Sequence, residues 1–451
     1  MSVATIMPKV KADIGGLALY GWAFSGLALG EVMGIVIAGS WSDRANPVRP
    51  ILVGLAVYSV GLVVSGTANT MFIVVVGRVL QGYGSGTVPA VAYVCVGRGF
   101  SEEQRPRVFA WMSTAWVVPS LVGPSAAGFL AERVGWRAVF LGLIPVVIGV
   151  GALAIAPIAR LGQPSGVVAD EVRRDGDGRT PVHTAWLATV AVLGTGVALG
   201  ALQIRSLPVL VVVLIAGTGA LVWAFRQIAP AGTLRVARGL PAAVAVRGMV
   251  TFGFLGADAF VALALTDVRG MSIRNAGIVL SSAALTWTAG SWYSARNIMR
   301  LGPRRLVTVG LLVIATGIAS MVTVVSTSIS PWFAIGAWLL GGLGVGLAYA
   351  PLTQAVIAAA DPAQLGAATS ALQLSDVLGF ALGTGIGGAV IAVVDRQGVE
   401  VGGSTVHAGV DLVFAVTGAV AVLGVVSARR MHRFLGDAAP GGGEPATSAV
   451  A

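Results

Sequence analysis

Four ionisable residues stand inside long apolar runs of this chain: Glu31, Arg78, Asp258 and Asp376. A charge in hydrocarbon costs roughly 3 kcal/mol or more, so such residues face a cavity or a partner. Glu31 and Asp376 each lie ten residues from the same-side end of their runs. That is about 15 Å at 1.5 Å per residue, near the middle of a bilayer. If two such carboxylates share one dry site, they repel when both are ionised, which favours a shared or mobile proton. The chemistry this points to is proton transfer, with Asp258, nearer the opposite end, as a third carboxylate. Structural hydrogen bonds at these positions are the competing account.

Other chemistry finds little support. A single cysteine, Cys95, excludes an internal disulfide and any cysteine-based metal site. The three histidines, His183, His407 and His432, lie far apart and in no metal-ligand spacing. No catalytic motif is present, so the chain does not read as an enzyme, and neither a metal nor a cofactor is expected. A net charge of +10 is spread through short loops and forms no concentrated basic patch, which argues against nucleic acid.

The elements that must position these residues follow from composition. Of 451 residues, 56% are hydrophobic and 11% charged, with mean hydropathy +0.87. Runs such as "ILVGLAVYSVGLVVSG" and "LPVLVVVLIAGTGALVWAF" approach the ~20 apolar residues that cross a bilayer as a helix. The chain therefore reads as an all-α polytopic membrane protein. The expected spans are 17–41, 50–67, 71–97, 107–131, 138–158, 185–203, 207–225, 242–265, 275–294, 305–326, 331–357, 366–394 and 410–428, thirteen in all. The 63 glycines fit close helix packing in lipid.

Arginine placement orients the spans. With the loop at 41–50 in the cytoplasm, cytoplasmic segments hold 20 basic residues, Arg247 counted among them, and outside segments hold 8. The C-terminus is then cytoplasmic, and residues 431–451 read as a disordered tail. "GSWSDRANPVRP" from Gly39 and "GSWYSARNIMRLGPRR" from Gly290 each end an inward-running span, 251 residues apart. Repeated helical halves with a substrate site between them are a transporter architecture. The expected organisation is an N-terminal bundle over 1–158, a cytoplasmic linker over 159–184, two extra helices over 185–225, a loop over 226–241 and a C-terminal bundle over 242–430.

The motifs carry a resemblance. "GSWSDRANPVRP" looks like the loop after helix 2 of the major facilitator superfamily, with Gly39, Asp43 and Arg44 matching and Arg49 as the remaining basic residue. "GRVLQGYGSG" resembles that family's helix-4 motif through Arg78, Gln81, Gly82 and Gly84. "VPSLVGPSAAGFL" resembles its helix-5 antiporter motif through Pro119, Gly123, Pro124 and Gly128. "GWRAVF" is similar to the entry into helix 6, and "ATIMPKV" to the end of helix 1. The resemblance is to the fourteen-span drug/proton antiporter branch. It implies two pseudo-symmetric bundles plus two extra central helices, and a chain lacking most of helix 1 and its acidic residue.

The positions of the residues and the resemblance together give the expected roles. Glu31, Asp258, Asp376 and Arg78 are the proton-coupling candidates. Gly39, Asp43, Arg44 and Arg49 form a gating loop, where Asp43 would latch the halves by facing the positive N-terminal end of the helix that begins near 366. Ser294 stands in that aspartate's place in the second copy. Pro124 and the helix-5 glycines suit a moving interface. Among Trp22, Trp111, Trp116, Trp287, Trp292 and Tyr349, the cavity candidates are Trp116 and Trp287. The expected function is proton-driven export of amphipathic, drug-like compounds from a bacterial cytoplasmic membrane, by a monomer whose partners are lipid and a small molecule. Metabolite or lipid export, or a truncated non-transporting membrane protein, are the alternatives.

Overall fold

The computed structural model describes residues 2–44, 46–100, 104, 108, 117–159, 181–326, 329–360 and 365–432. Most of the expected linker and nearly all of the expected tail lie outside the described residues. Among those residues the chain is helical, with one isolated bridge between Val401 and Ser404. The helices are α1 Ser2–Ile14, α2 Trp22–Arg44, α3 Val48–Gly66, α4 Met71–Gly99, α5 Val117–Arg133, α6 Trp136–Leu141 and α7 Leu143–Ala159. They continue as α8 Pro181–Ala201, α9 Leu207–Ile228, α10 Leu240–Leu263, α11 Ile273–Leu301, α12 Pro303–Ser326, α13 Phe333–Ala359, α14 Leu365–Gln397 and α15 Thr405–Ala428.

Ten of these segments are long and apolar enough to cross a membrane, so the protein is a multi-pass membrane protein. The other three expected spans are α5, described only from residue 117, the shorter apolar part of α8, and α11, whose polar residues dilute its hydropathy. Helix ends carry ordinary signals. Thr70, Ser272 and Ser404 cap α4, α11 and α15 by accepting from Ile73, Asn275 and His407 backbone N–H groups. Pro208 and Pro241 sit in the first turns of α9 and α10. Gly302, at φ 74°, makes the one-residue break between α11 and α12.

Within the first half, α4 packs on α2 and α3; within the second, α13 packs on α11 and α12. The halves meet where α2 lies on α14 and α5 on α11, and α1 reaches α10 and α11. The α8–α9 hairpin leans on α2 and α14. Burial follows this plan: 78% of the α10 window is buried, against 17% in α9. The central helices therefore have protein on most sides, which is where an ionisable residue can be tolerated.

The backbone shows the repeat, in a register that differs from the expected one. A Cβ on Gly86 of α4 would meet the Glu31 carbonyl at 2.2 Å, and one on Gly346 of α13 would meet the Trp287 carbonyl at 2.3 Å. Gly34 abuts the Tyr83 carbonyl as Gly290 abuts that of Leu343. These contacts pair α2 with α11 at a spacing of 256 residues, so Gly290 answers to Gly34 and not to Gly39. The Gly-Ser-Trp match is out of register. At the structural spacing Arg44, Pro47 and Arg49 fall on Arg300, Pro303 and Arg305, and Met299 replaces Ser294 as the counterpart of Asp43. The loops repeat because both must turn the chain and carry positive charge.

Candidate functional site

The site lies where α2 faces α14. Glu31 is half-buried on α2, and Asp376 is half-buried on α14. Glu31 lies within reach of the charges of Asp376 across the seam and of Arg78 on α4. The structure thus brings together three of the four ionisable residues named from the sequence. Asp258 stands apart: it is fully buried on α10, and its Oδ1 accepts the Trp338 indole N–H at 2.9 Å.

Asp376 has a partner that the sequence reading placed elsewhere. Arg247 belongs to α10, two turns inside the helix, and is 6% exposed, not part of a cytoplasmic loop. The cytoplasmic tally therefore falls from 20 to 19, which leaves the charge asymmetry in place. Its Nε donates to Asp376 Oδ1 at 2.7 Å and its Nη2 to Oδ2 at 3.4 Å. Nη1 donates to the Tyr349 carbonyl at 3.0 Å, and the guanidinium lies over the Tyr349 ring. Tyr349 donates its hydroxyl to Asp376 Oδ2 at 2.6 Å. The signal that could have found Arg247 is Gly239-Leu-Pro241: a proline in the first turn starts the helix at Leu240, which puts Arg247 inside it.

From this cluster an aromatic row runs through the second half. Trp287 is half-buried, 5.6 Å from Tyr349 and edge-on to Phe254 at 6.2 Å between ring centroids. Phe254 stacks on Trp338 at 5.3 Å, and Trp338 ends the row on Asp258. Glu31 and Trp287 occupy equivalent positions in the two halves, so one half presents a carboxylate where the other presents an indole.

The helix-4 motif is a packing device around Arg78. Arg78 Nε donates to the Ala23 carbonyl on α2 at 3.0 Å, and its Nη1 to Gln81 Oε1 at 2.9 Å. Gln81 in turn donates to Gly61 O and Ser65 Oγ on α3. Gly82 and Gly84 have no room for a side chain against the carbonyls of Leu27 and Gly54. In the antiporter motif, Pro119 is exposed and Gly123 half-buried, while Pro124 and Gly128 lie on the α5–α11 seam. The Pro124 carbonyl abuts Gly277, and Gly128 abuts Arg274. Arg49 is exposed in the first turn of α3. The surroundings of Gly39, the side chains of Asp43 and Arg44, and all of Trp116 lie outside the described residues, as do the first side chains of the facing helix α14.

Hydrogen bonds join the halves on the arginine-poor side. Ser25 donates to the Ala381 carbonyl and pairs with Thr384 Oγ1, each at 2.9 Å. Ser281, the counterpart of Ser25 in the second half, pairs with Ser125 at 2.9 Å. Lys11 forms an ion pair with Asp267, and the Arg274 N–H donates to Glu132. The α8–α9 turn adds to this closure: Gln203 donates to the Ala18 carbonyl, and Arg396 to the Leu202 carbonyl. The arginine-poor face is sealed.

Comparison with known proteins now places the chain. The family model described as the Major Facilitator Superfamily matches residues 1–384. The chain belongs to the major facilitator superfamily. A "Probable multidrug-efflux transporter" from Mycobacterium tuberculosis is 28% identical over 450 residues, covering 96% of this chain and 91% of that protein. The tetracenomycin C resistance and export protein of Streptomyces glaucescens is 28% identical over 401 residues, covering 86% of this chain and 72% of that one. Among solved structures, an auto-inhibited peptide transporter of the POT family gives a TM-score of 0.65 at 17% identity, over 96% of this chain and 94% of that chain. A bacterial homologue of the lysosomal transporter Spinster, inward-facing and occupied, gives 0.61 at 16% identity, over 96% and 93%. These structural likenesses are of fold. The family and these relatives are transporters.

Proposed function

We propose that the protein exports amphipathic, drug-like compounds in exchange for protons, by alternating access. The observation that carries this reading is Glu31 opposite Asp376 on the seam between the halves, away from lipid, with one face of that seam sealed. A carboxylate there is costly unless it has work or a partner. Glu31 has no ion pair with another described residue. The half-buried Trp287 and Tyr349 offer aromatic surface to an apolar cargo. The drug-export names of the two relatives support the cargo class. By the positive-inside rule the arginine-rich face is cytoplasmic, the C-terminus with it, and the membrane is the bacterial cytoplasmic membrane. Both sides of the seam come from one chain, so the working unit is the monomer.

The test uses proteoliposomes with a pH-sensitive dye, and ethidium and tetracenomycin C as cargo probes. Adding a probe to wild type should move protons against it, and Glu31→Gln should abolish that movement while probe binding persists. Transport of a probe with no proton movement in wild type would remove the antiport reading.

A further inference from the structure

The two carboxylates of the seam are not equivalent. Asp376 accepts two bonds from the Arg247 guanidinium and one from the Tyr349 hydroxyl. Arg247 is itself spent on Asp376, the Tyr349 carbonyl and Thr353 Oγ1. Taking the charge off Asp376 would leave a buried guanidinium without its counter-ion, and breaking a buried pair by removing one partner is strongly unfavourable. Glu31 has no such tie. Its charged neighbours are Asp376 on α14 and Arg78 on α4. Arg78 is held by the Ala23 carbonyl and Gln81, with Tyr58 of α3 beyond it. Helix α8, which also packs on α2, brings no ionisable residue among its described side chains. Helices packed against α14 carry further groups, Arg226 in the last turn of α9, Asp258 on α10 and His407 and Asp411 on α15, none of which is among the charges acting on Glu31. Asp258 is eleven residues along α10 from Arg247, about 16 Å. His407 and Asp411 of α15 pair with each other at 3.4 Å.

We propose that Arg247 is a positioning residue that holds Asp376 as a fixed charge, so that Glu31 alone exchanges the proton at the seam. This rests on the antiport reading for its meaning in transport, and it divides the roles within that reading. Asp376 then acts as the constant field that Glu31 meets across the seam. When Glu31 is ionised, the two carboxylates repel across α2 and α14; when it is protonated, that repulsion is gone. Protonation of one group thereby alters the force between the halves.

The test is infrared difference spectroscopy of the purified protein in lipid nanodiscs, reading the C=O stretch of protonated carboxyl groups as pH is changed. No cargo is required. Wild type should give one band from the seam, lost in Glu31→Gln. Arg247→Gln alone should give a second band, because Asp376 is left without its counter-ion and now titrates. The double variant Arg247→Gln/Asp376→Asn leaves no charge unpaired, so it carries the test even where Arg247→Gln fails to fold. It should keep the single Glu31 band. A band that survives Glu31→Gln, or that vanishes in the double variant, would overturn the assignment. A wild type that shows the Glu31 band yet moves no proton with a probe would sink the exporter reading and leave this assignment standing.

Discussion

At the scale of single residues, Arg78 is bound by the direction of its bonds as much as by its charge. Its Nε reaches α2 at Ala23 while its Nη1 holds Gln81, which in turn ties down α3. A lysine keeps the charge but has no planar fork, so it cannot serve both acceptors in the same geometry. Losing one buried charge-assisted hydrogen bond costs about 1.5–3 kcal/mol, or roughly 10- to 100-fold in a rate if the loss falls on the moving step. Arg78→Lys should slow probe efflux by that order at equal amounts of folded protein. A full rate in the lysine variant would mean that a point charge suffices. The acidic residues at the seam were legible in the sequence because a carboxylate in an apolar run is conspicuous. Arg247 was not, because it stands seven residues from a helix start and a nearby basic loop absorbed it. Nor could the sequence display that Trp338 takes the place in the second half that Arg78 holds in the first, since no shared chemistry marks the pair.

At the scale of elements, α1 is a short helix of 13 residues that docks by side chains at its end. Asp13 accepts from the Trp136 indole at 2.9 Å and from Arg137 at 2.7 Å, and Arg137 also reaches the Ala68 carbonyl. These two bonds, the indole's first, hold the Asp13 carboxyl below the usual carboxylate value. A depressed value means the tie is fully present above the unfolded value of about 3.9 and is lost as pH falls through the lower folded one. Mild acid on that face should therefore leave α1 docked. The melting temperature of Asp13→Asn should lie below that of wild type at neutral pH, and the gap should close only in strong acid. A gap that closes while pH is still above the ordinary carboxylate range would contradict the depressed value. Helix number and order were readable from apolar runs and loop arginines. The repeat's existence was readable too, but its register was misread, because a Gly-Ser-Trp coincidence outweighed the weaker Arg-x-x-Pro-x-Arg spacing. Backbone contact at Gly86 and Gly346 fixes register through shape, which a tripeptide match does not report.

At the scale of the whole molecule, the sealed face is closed by two matched hydroxyl pairs. Ser25 meets Thr384 where α2 crosses α14, and Ser281 meets Ser125 where α11 crosses α5. The glycine one turn before each serine, Gly21 and Gly277, lets the backbones touch at the same level. If the halves rock as rigid bodies, opening this face must part both seams together, so fixing either should arrest the cycle. In a Cys95→Ser background, the pairs Ser25→Cys/Thr384→Cys and Ser125→Cys/Ser281→Cys place sulfurs where hydroxyls now stand within hydrogen-bond reach, close enough for a disulfide with small adjustment. Oxidation of either pair should reduce probe efflux to background, and a reductant should restore it. Binding of the probe from the arginine-rich face should persist in the oxidised state, because both locked pairs lie on the opposite face. Efflux that continues with one seam locked would mean that the seams open independently, and that a local movement of one helix pair replaces rocking of the halves.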